Sequence, residues 1–482
     1  MSAISNAYLI IFLPLIASLF SFLVPKKKIV VTTIVLTSLS LIALSCQNLL
    51  NVLAYKNISN NFDLGQISLG LEFSISAIGA TFLLLAFFTK SIIFFFFTKD
   101  FENSLEEKNK IVFYQLYLFQ FFAIAGIFTA DSFFNIIIFV EIYILTIFAL
   151  AEILLNQNRN NWRYFLFNSL VTILILFLLL VSQIIFSESN ISAIAENISL
   201  ILPSQLSFMI VFFAIIILAL LSKMLFPYFS FKSENSKTSK FFLSELYFVK
   251  SAVAIFLTLK FSYVFFGNLT IELLGKVAPF LIFLSLSLVS YFALQLRKQN
   301  SYQNFFQHII CNNLAIVFVT LAISNLYSLQ SLFFTIINFF FINLAFFFIF
   351  SLIEEKTDNK GQVFFILKRN FSSFFFPIKI LLFFLSAFPL SFLFFSNWYL
   401  IKAAFDSIYL PLLFLIVAIS NFSYVFTSLK LFEMIEIEEE KSENNFSNIA
   451  SFLLLFAVII LLFASSDFLK NLSLEFALSL IP

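Results

Sequence analysis

The chain has 482 residues, of which 61% are hydrophobic and 11% charged, and its mean hydropathy is +1.03. A water-soluble fold cannot hide that much apolar surface, so the membrane class is set before any motif is read. Two cysteines, Cys46 and Cys311, and one histidine, His308, are too few for a disulfide framework or for a zinc, haem or iron–sulfur ligand set, and a net charge of +2 gives no bias toward nucleic acid. No cofactor and no metal are therefore expected.

Apolar runs of about 17 residues or more can cross a hydrocarbon core of about 30 Å as helix. Cut at charge and Pro/Asn clusters, they predict about fourteen helices, at 7–24, 29–46, 71–98, 111–128, 132–155, 163–186, 206–226, 241–266, 273–296, 305–324, 329–353, 372–396, 398–432 and 448–466. The first run has no basic stretch ahead of it and no small-residue cleavage pattern after it, so it reads as a membrane helix and not as a signal peptide. The loops at 25–28, 99–110, 156–163, 232–240, 297–304, 354–370 and 430–447 hold 19 Lys and Arg, whereas the opposite side offers Lys56 and Lys470. By the positive-inside rule the Lys-rich loops are cytoplasmic and both termini are not. No loop is long enough for a soluble catalytic domain, which leaves any chemistry within the membrane.

An ionisable side chain in hydrocarbon costs about 2.5–3.5 kcal/mol on insertion scales, so each one that persists is a functional candidate. Glu141 lies about ten residues into the fifth predicted helix, after Phe133-Phe134-Asn135-Ile136-Ile137-Ile138-Phe139-Val140, too deep for its short stem to snorkel. Lys223 precedes Pro227 by four residues, and a proline there leaves the Lys223 carbonyl without its helical donor. Lys250 is near the middle of the eighth helix, and Lys402 follows Pro389 in the twelfth apolar block. Glu152, Glu245, Lys260, Lys379 and His308 stand nearer to predicted helix ends. A carboxylate facing a lysine across a bundle stabilises both charges while burial opposes both, so such a pair can switch. Bland readings stand beside these: Glu141 as a static interhelical anchor, Lys223 snorkelling to the surface, Lys402 paired locally with Asp406, and His308 as an interfacial residue.

Three segments resemble a known family, the antiporter-like membrane subunits shared by respiratory complex I and Mrp-type sodium/proton antiporters. They are Phe134-Asn135 with Glu141 and Ala149-Leu150; Leu221-Ser222-Lys223-Met224-Leu225-Phe226-Pro227 followed by a polar loop and Phe248-Val249-Lys250; and Phe388-Pro389 with Ser396-Asn397-Trp398-Tyr399-Leu400-Ile401-Lys402-Ala403-Ala404. The similarity spans roughly residues 110–430. Asn397 stands where the family usually has a lysine, and Lys402 comes five residues later.

The resemblance implies an all-α polytopic membrane protein with two inverted five-helix repeats and helices 7 and 12 broken at Pro227 and Pro389. Its divisions would be an N-terminal three-helix segment at 1–110, repeats at 111–266 and 267–434, and a C-terminal helix and tail at 435–482. It also implies a subunit of the bacterial inner membrane that translocates protons, or exchanges monovalent cations such as sodium for protons, alongside other membrane subunits. Glu141 would modulate Lys223 as first proton site, Lys250 would relay and Lys402 would serve the exit, with His308, Glu152 and Glu245 accessory. Such a subunit carries no redox centre of its own, even in a complex I-like NADH:quinone oxidoreductase. Two rival readings are a transport-inactive scaffold, which the missing lysine and the seven glycines fit, and a lipid-linked oligosaccharide flippase, which would need a broader basic cavity.

Overall fold

The computed structural model describes residues 3–55, 58–61, 72–155, 158–186, 237–264, 270–295, 302–345, 347–348, 391–405, 407–435 and 467–478, with eight helical residues between 211 and 222. The chain divides into two compact units, Met1–Thr270 and Ile271–Leu478.

In the first unit the elements run α1 (Ala3–Leu23), α2 (Lys27–Tyr55), β1 (Ile58–Asn61), β2 (Glu72–Ile75), α3 (Ala77–Ser104), α4 (Glu107–Thr129), α5 (Phe133–Leu155) and α6 (Asn158–Phe186). A further continuous helix, α7, covers 237–264 and changes its winding three times. It is α-helical over Lys237–Ser244, π-helical over Glu245–Lys250, α-helical over Ser251–Leu259 and π-helical over Lys260–Val264. Helices α1, α3 and α5 pack on α4, and α2 packs on α3 and α1.

Burial follows hydrocarbon logic. Helix α6 presents Leu166, Leu170, Ile173, Phe177 and Leu180 on an exposed face at helical spacing, where acyl chains or another subunit can cover them. By contrast, Phe241–Tyr263 of α7 is wholly buried, so this helix is a central post held off from lipid. With every backbone group bonded within its own helix, such a post can stand in a dry interior; what needs a partner is any polar side chain it carries.

The second unit contains α8 (Thr270–Gln295), α9 (Tyr302–Ile323), α10 (Leu326–Asn338, continuing as a π turn over Phe339–Asn343), α11 (Phe392–Ala404), α12 (Leu410–Ile435) and α13 (Asp467–Leu478). Helix α10 opens with a capping box: Asn325 Oδ1 accepts from the Ser328 N–H at 2.8 Å, and Ser328 Oγ accepts from the Asn325 N–H. The Asn325 amide also donates to the Ala403 carbonyl at 2.8 Å, tying this entry to the end of α11.

The fold is all-α and polytopic, as the composition requires. Differences from the sequence expectations are local. Between 46 and 71, where a loop is expected, α2 continues to Tyr55 and β1 follows. The next helix does not start at 71: Glu72–Ile75 forms β2, paired antiparallel with β1 in the register Ile58 to Ile75. Phe73 and Ile75 are buried and Ser74 is partly exposed, the period-two pattern of a strand inside what reads as a longer apolar run. The cut expected between 396 and 398 is also displaced. Helix α11 runs through Asn397 and Trp398 to Ala404, because Ser391 caps its start by accepting from the Phe394 N–H at 3.1 Å. The break comes instead at the turn joining α11 to α12. Pro227 and Pro389, the expected helix breaks, lie outside the described residues.

Two glycines among the described residues constrain the packing, and a Cβ on Gly79 of α3 would sit 2.7 Å from the Phe128 carbonyl oxygen. A Cβ on Gly126 of α4 would sit 2.1 Å from the Phe139 ring of α5, and Phe139 is itself wedged against Phe122 and Phe73. Gly126→Ala should therefore cost about 1–3 kcal/mol of stability, as overpacking does. The cost should shrink when Phe139→Ala is added; thermal unfolding of the detergent-solubilised single and double variants would measure both.

Candidate functional site: buried charges along α7

Lys90 is the fourteenth residue of α3, near the middle of a 28-residue helix, and its side chain is 0% exposed. Its ammonium donates to Glu245 Oε1 at 2.8 Å and to Gln120 Oε1 at 2.5 Å. It also lies 3.6 Å from the ring centroid of Tyr117, with Phe121 at 5.3 Å. Three directions of an ammonium are thus met by a carboxylate, an amide carbonyl and an aromatic face, which is what a charge without water needs. Tyr117 is in turn fixed: its hydroxyl donates to the Lys90 backbone carbonyl at 2.5 Å, and Phe94 stacks on its ring at 5.3 Å.

Glu245, whose side chain is 2% exposed, belongs to the first residue of the first π turn. Its Oε1 serves Lys90, while Oε2 is buried with no hydrogen-bond partner among the described residues; the same holds for Gln120 Nε2. Lys250 closes that π turn and is also buried. The second π turn opens on Lys260, whose ammonium donates to the Ala130 backbone carbonyl at the end of α4 and lies 3.6 Å from Asp131 Oδ1. Ala130 bridges to Phe73 of β2, so this second cluster sits at the hairpin. By an α-helical rise, Glu245 and Lys260 are roughly 22 Å apart along α7. Each π turn therefore begins at a buried ionisable residue, and widened turns of this kind are common at functional positions.

Other predicted residues are placed as follows. Glu141 is partly buried on α5, whose entry is set by Ser132 Oγ accepting from the Asn135 N–H at 3.2 Å. Glu152, also on α5, is partly buried and its Oε1 has no hydrogen-bond partner among the described residues. Lys402, in the last turn of α11, is exposed and its ammonium stands 4.0 Å over the Tyr327 ring. Asp406, its suggested local partner, lies outside the described residues. Asn397 is buried and donates through its amide to Asn421 Oδ1 at 3.0 Å. His308 is helical in α9. Lys223 and Lys379 lie outside the described residues.

Lys90 was the residue that sequence reasoning missed, together with Asp131. Lys90, inside the predicted span 71–98, stands under the same rule that selected Glu141, whereas Asp131 lies just ahead of the fifth span and outside that rule. The signal was there for Lys90: Thr89-Lys90-Ser91 interrupts a Phe- and Leu-rich run close to its centre. Because each member of the Lys90–Glu245 pair leaves a buried charge behind when its partner goes, Lys90→Met or Glu245→Gln alone should destabilise the protein by about 3–5 kcal/mol. The double variant should lose much less than the sum, a difference that a double-mutant cycle on unfolding in detergent would measure.

No family model and no curated protein matches the sequence. Among solved structures, a chain of the Mrp complex from Dietzia sp. DQ12-45-1b superposes with a TM-score of 0.77 at 14% identity, over 100% of this chain and 98% of that one. A chain of the membrane-bound sulfane sulfur reductase, an archaeal respiratory membrane complex, gives 0.71 at 14% identity over 98% and 97%. A chain of respiratory complex I from Thermus thermophilus with bound NADH gives 0.71 at 13% identity over 99% and 100%. Likeness of this extent at so low an identity speaks to the fold alone, and that polytopic fold is shared with chains of these three complexes.

Proposed function

We propose that the chain is a proton-translocating, or cation/proton-exchanging, membrane subunit of a multisubunit assembly of the Mrp or complex I type. One observation carries this reading: α7 is buried over its whole apolar length and yet bears Glu245, Lys250 and Lys260. A purely structural post has no reason to hold three charges in a dry interior, where each costs stability unless compensated. In the reading adopted, Glu141 modulates Lys223, Lys223 is the first proton-binding site, Lys250 relays, and the exposed Lys402 serves the exit. Glu152, Glu245 and His308 are accessory, and Pro227 and Pro389 break helices 7 and 12. The repeats would be 111–266 and 267–434, between an N-terminal segment at 1–110 and a C-terminal one at 435–482. The setting is a bacterial inner membrane with both termini outside the cytoplasm and other membrane subunits as partners.

A specific observation favours the scaffold reading for the second unit. Asn397, at the position of the family's usual lysine, is satisfied by another amide, and the buried polar side chains described in this unit are uncharged. Proton transfer in the proposal therefore rests mainly on the first unit, and the second contributes only Lys402 at the exit, with His308 accessory.

The two readings separate in everted membrane vesicles carrying the whole assembly, with a pH-sensitive dye reporting flux and native gels reporting assembly. Glu141→Gln, Lys223→Met and Lys250→Met should each lower proton flux at least tenfold with assembly intact. Unchanged flux in all three would leave the scaffold.

A further inference from the structure

We infer that Glu245 is a proton-binding carboxyl with Lys90 as its fixed counter-charge, a site set apart from the Glu141, Lys223 and Lys250 series. The two partners are held unequally. Lys90 is saturated: of its three ammonium directions one meets Glu245, and the others meet Gln120 Oε1 and the Tyr117 ring. The latter two are neutral, so they keep the ammonium in place whether or not Glu245 is charged. Glu245 is asymmetric: Oε1 is committed to Lys90, and Oε2 is buried with no hydrogen-bond partner among the described residues.

A carboxylate oxygen left so in the interior is costly, and two things relieve it: a proton on that oxygen, or a water that donates to it. Gln120 points the same way. Because its carbonyl accepts from Lys90, its amide Nε2 faces elsewhere, buried and also without a partner among the described residues. A carboxylate oxygen and an amide donor of two residues bound to one ammonium are suited to opposite sides of a single water.

A proton arriving through water forms an O–H bond at Glu245 Oε2 and cancels the carboxylate charge. The Lys90 N–H then donates to a neutral carbonyl oxygen at Oε1 in place of a carboxylate, and release is the reverse. Other titratable groups on the packed elements include Tyr114, Tyr117 and Lys110 on α4, Glu141 and Tyr143 on α5, and Tyr247, Lys250 and Lys260 on α7 itself, and of these the Tyr117 hydroxyl also faces the Glu245 carboxylate. Lys250 is the next charged residue along α7, five positions on within the same π turn.

The inference extends the transport reading, and its test is separable because it is read without flux. Acid-minus-base infrared difference spectra of the purified full chain should show a protonated-carboxyl stretch that disappears in Glu245→Gln. In Lys90→Met the same band should already be present at a pH where the native protein lacks it, and Lys90→Arg, which keeps the charge, should resemble the native protein. A band unaffected by Glu245→Gln overturns the site. A band that Glu245→Gln removes but that behaves alike in the native protein, Lys90→Met and Lys90→Arg overturns the role of Lys90. Should Lys90→Met fail to fold, Gln120→Leu replaces it: loss of a neutral holder and of the amide donor must alter the band's pH dependence, and an unchanged profile counts against the site. Normal flux in Glu245→Gln alongside loss of the band would leave the site standing and remove only its place in transport.

Discussion

The structure turns on how one ammonium is kept in a dry interior. Moving a charge out of water costs several kcal/mol even after relaxation, and the attraction of a single counter-ion repays that only when the geometry is good and the remaining donors are satisfied. Lys90 meets the condition with partners from two other helices, Glu245 on α7 and Gln120 and Tyr117 on α4. Those demands set the surroundings. Phe94, Phe113, Phe121 and Phe241 crowd the Tyr117 ring at centroid distances between 5.3 and 6.1 Å, which fixes the ring face over the ammonium and excludes water from it. Helices α3, α4 and α7 are thus held by one polar knot inside an aromatic sleeve.

The two units solve the burial of polar groups differently. Every charged side chain buried in the described residues, namely Lys90, Lys110, Glu245, Lys250 and Lys260, belongs to the first. The second buries amides and hydroxyls. Ser396 bonds to Thr335 at 2.6 Å and to Ser331 at 3.1 Å, Asn397 to Asn421, and Asn312 to Ser423 at 3.1 Å. Neutral groups are cheaper to bury and hold helices in register, but they cannot gain or lose a proton near neutral pH. Asn397, bonded to Asn421, is of this kind: its position holds a hydrogen bond and no titratable charge.

What could be read from the sequence follows the strength of the physical signal. Helix α5 begins and ends within a residue of its predicted span because a long apolar run stands between polar clusters, and the period-free hydrophobicity of a membrane helix leaves little else to read. The hairpin was hidden because Phe73 and Ile75 also suit the start of an apolar helix. The break after Ala404 was misplaced because Asn397 looks like an interruption, whereas inside the bundle a hydrogen-bonded Asn sits comfortably mid-helix. Glu245 was legible as an ionisable residue near a helix end, but its partner is 155 residues earlier in the chain, and nothing in linear spacing couples the two. Lys90 was legible as a buried charge in the Thr89-Lys90-Ser91 interruption of an apolar run, and it lies ahead of the motif similarity at roughly 110–430.

The π turns coincide with buried polar side chains. In α7 they open on Glu245 and on Lys260, and the π turn that ends α10 is bounded by Asn338 and Asn343, whose buried amides have no hydrogen-bond partner among the described residues. A π turn inserts one residue into the helical count, so every side chain beyond it is rotated by about 100° relative to an uninterrupted α-helix. Without the turn at Glu245–Lys250, Lys260 would be carried off the face from which it reaches the Ala130 carbonyl and Asp131. One insertion therefore lets a single buried helix serve two polar clusters about 22 Å apart with side chains that could not otherwise share its two ends. The weaker hydrogen bonding of a widened turn is a local cost, and it falls where the neighbouring charges have the most to gain from being aimed correctly.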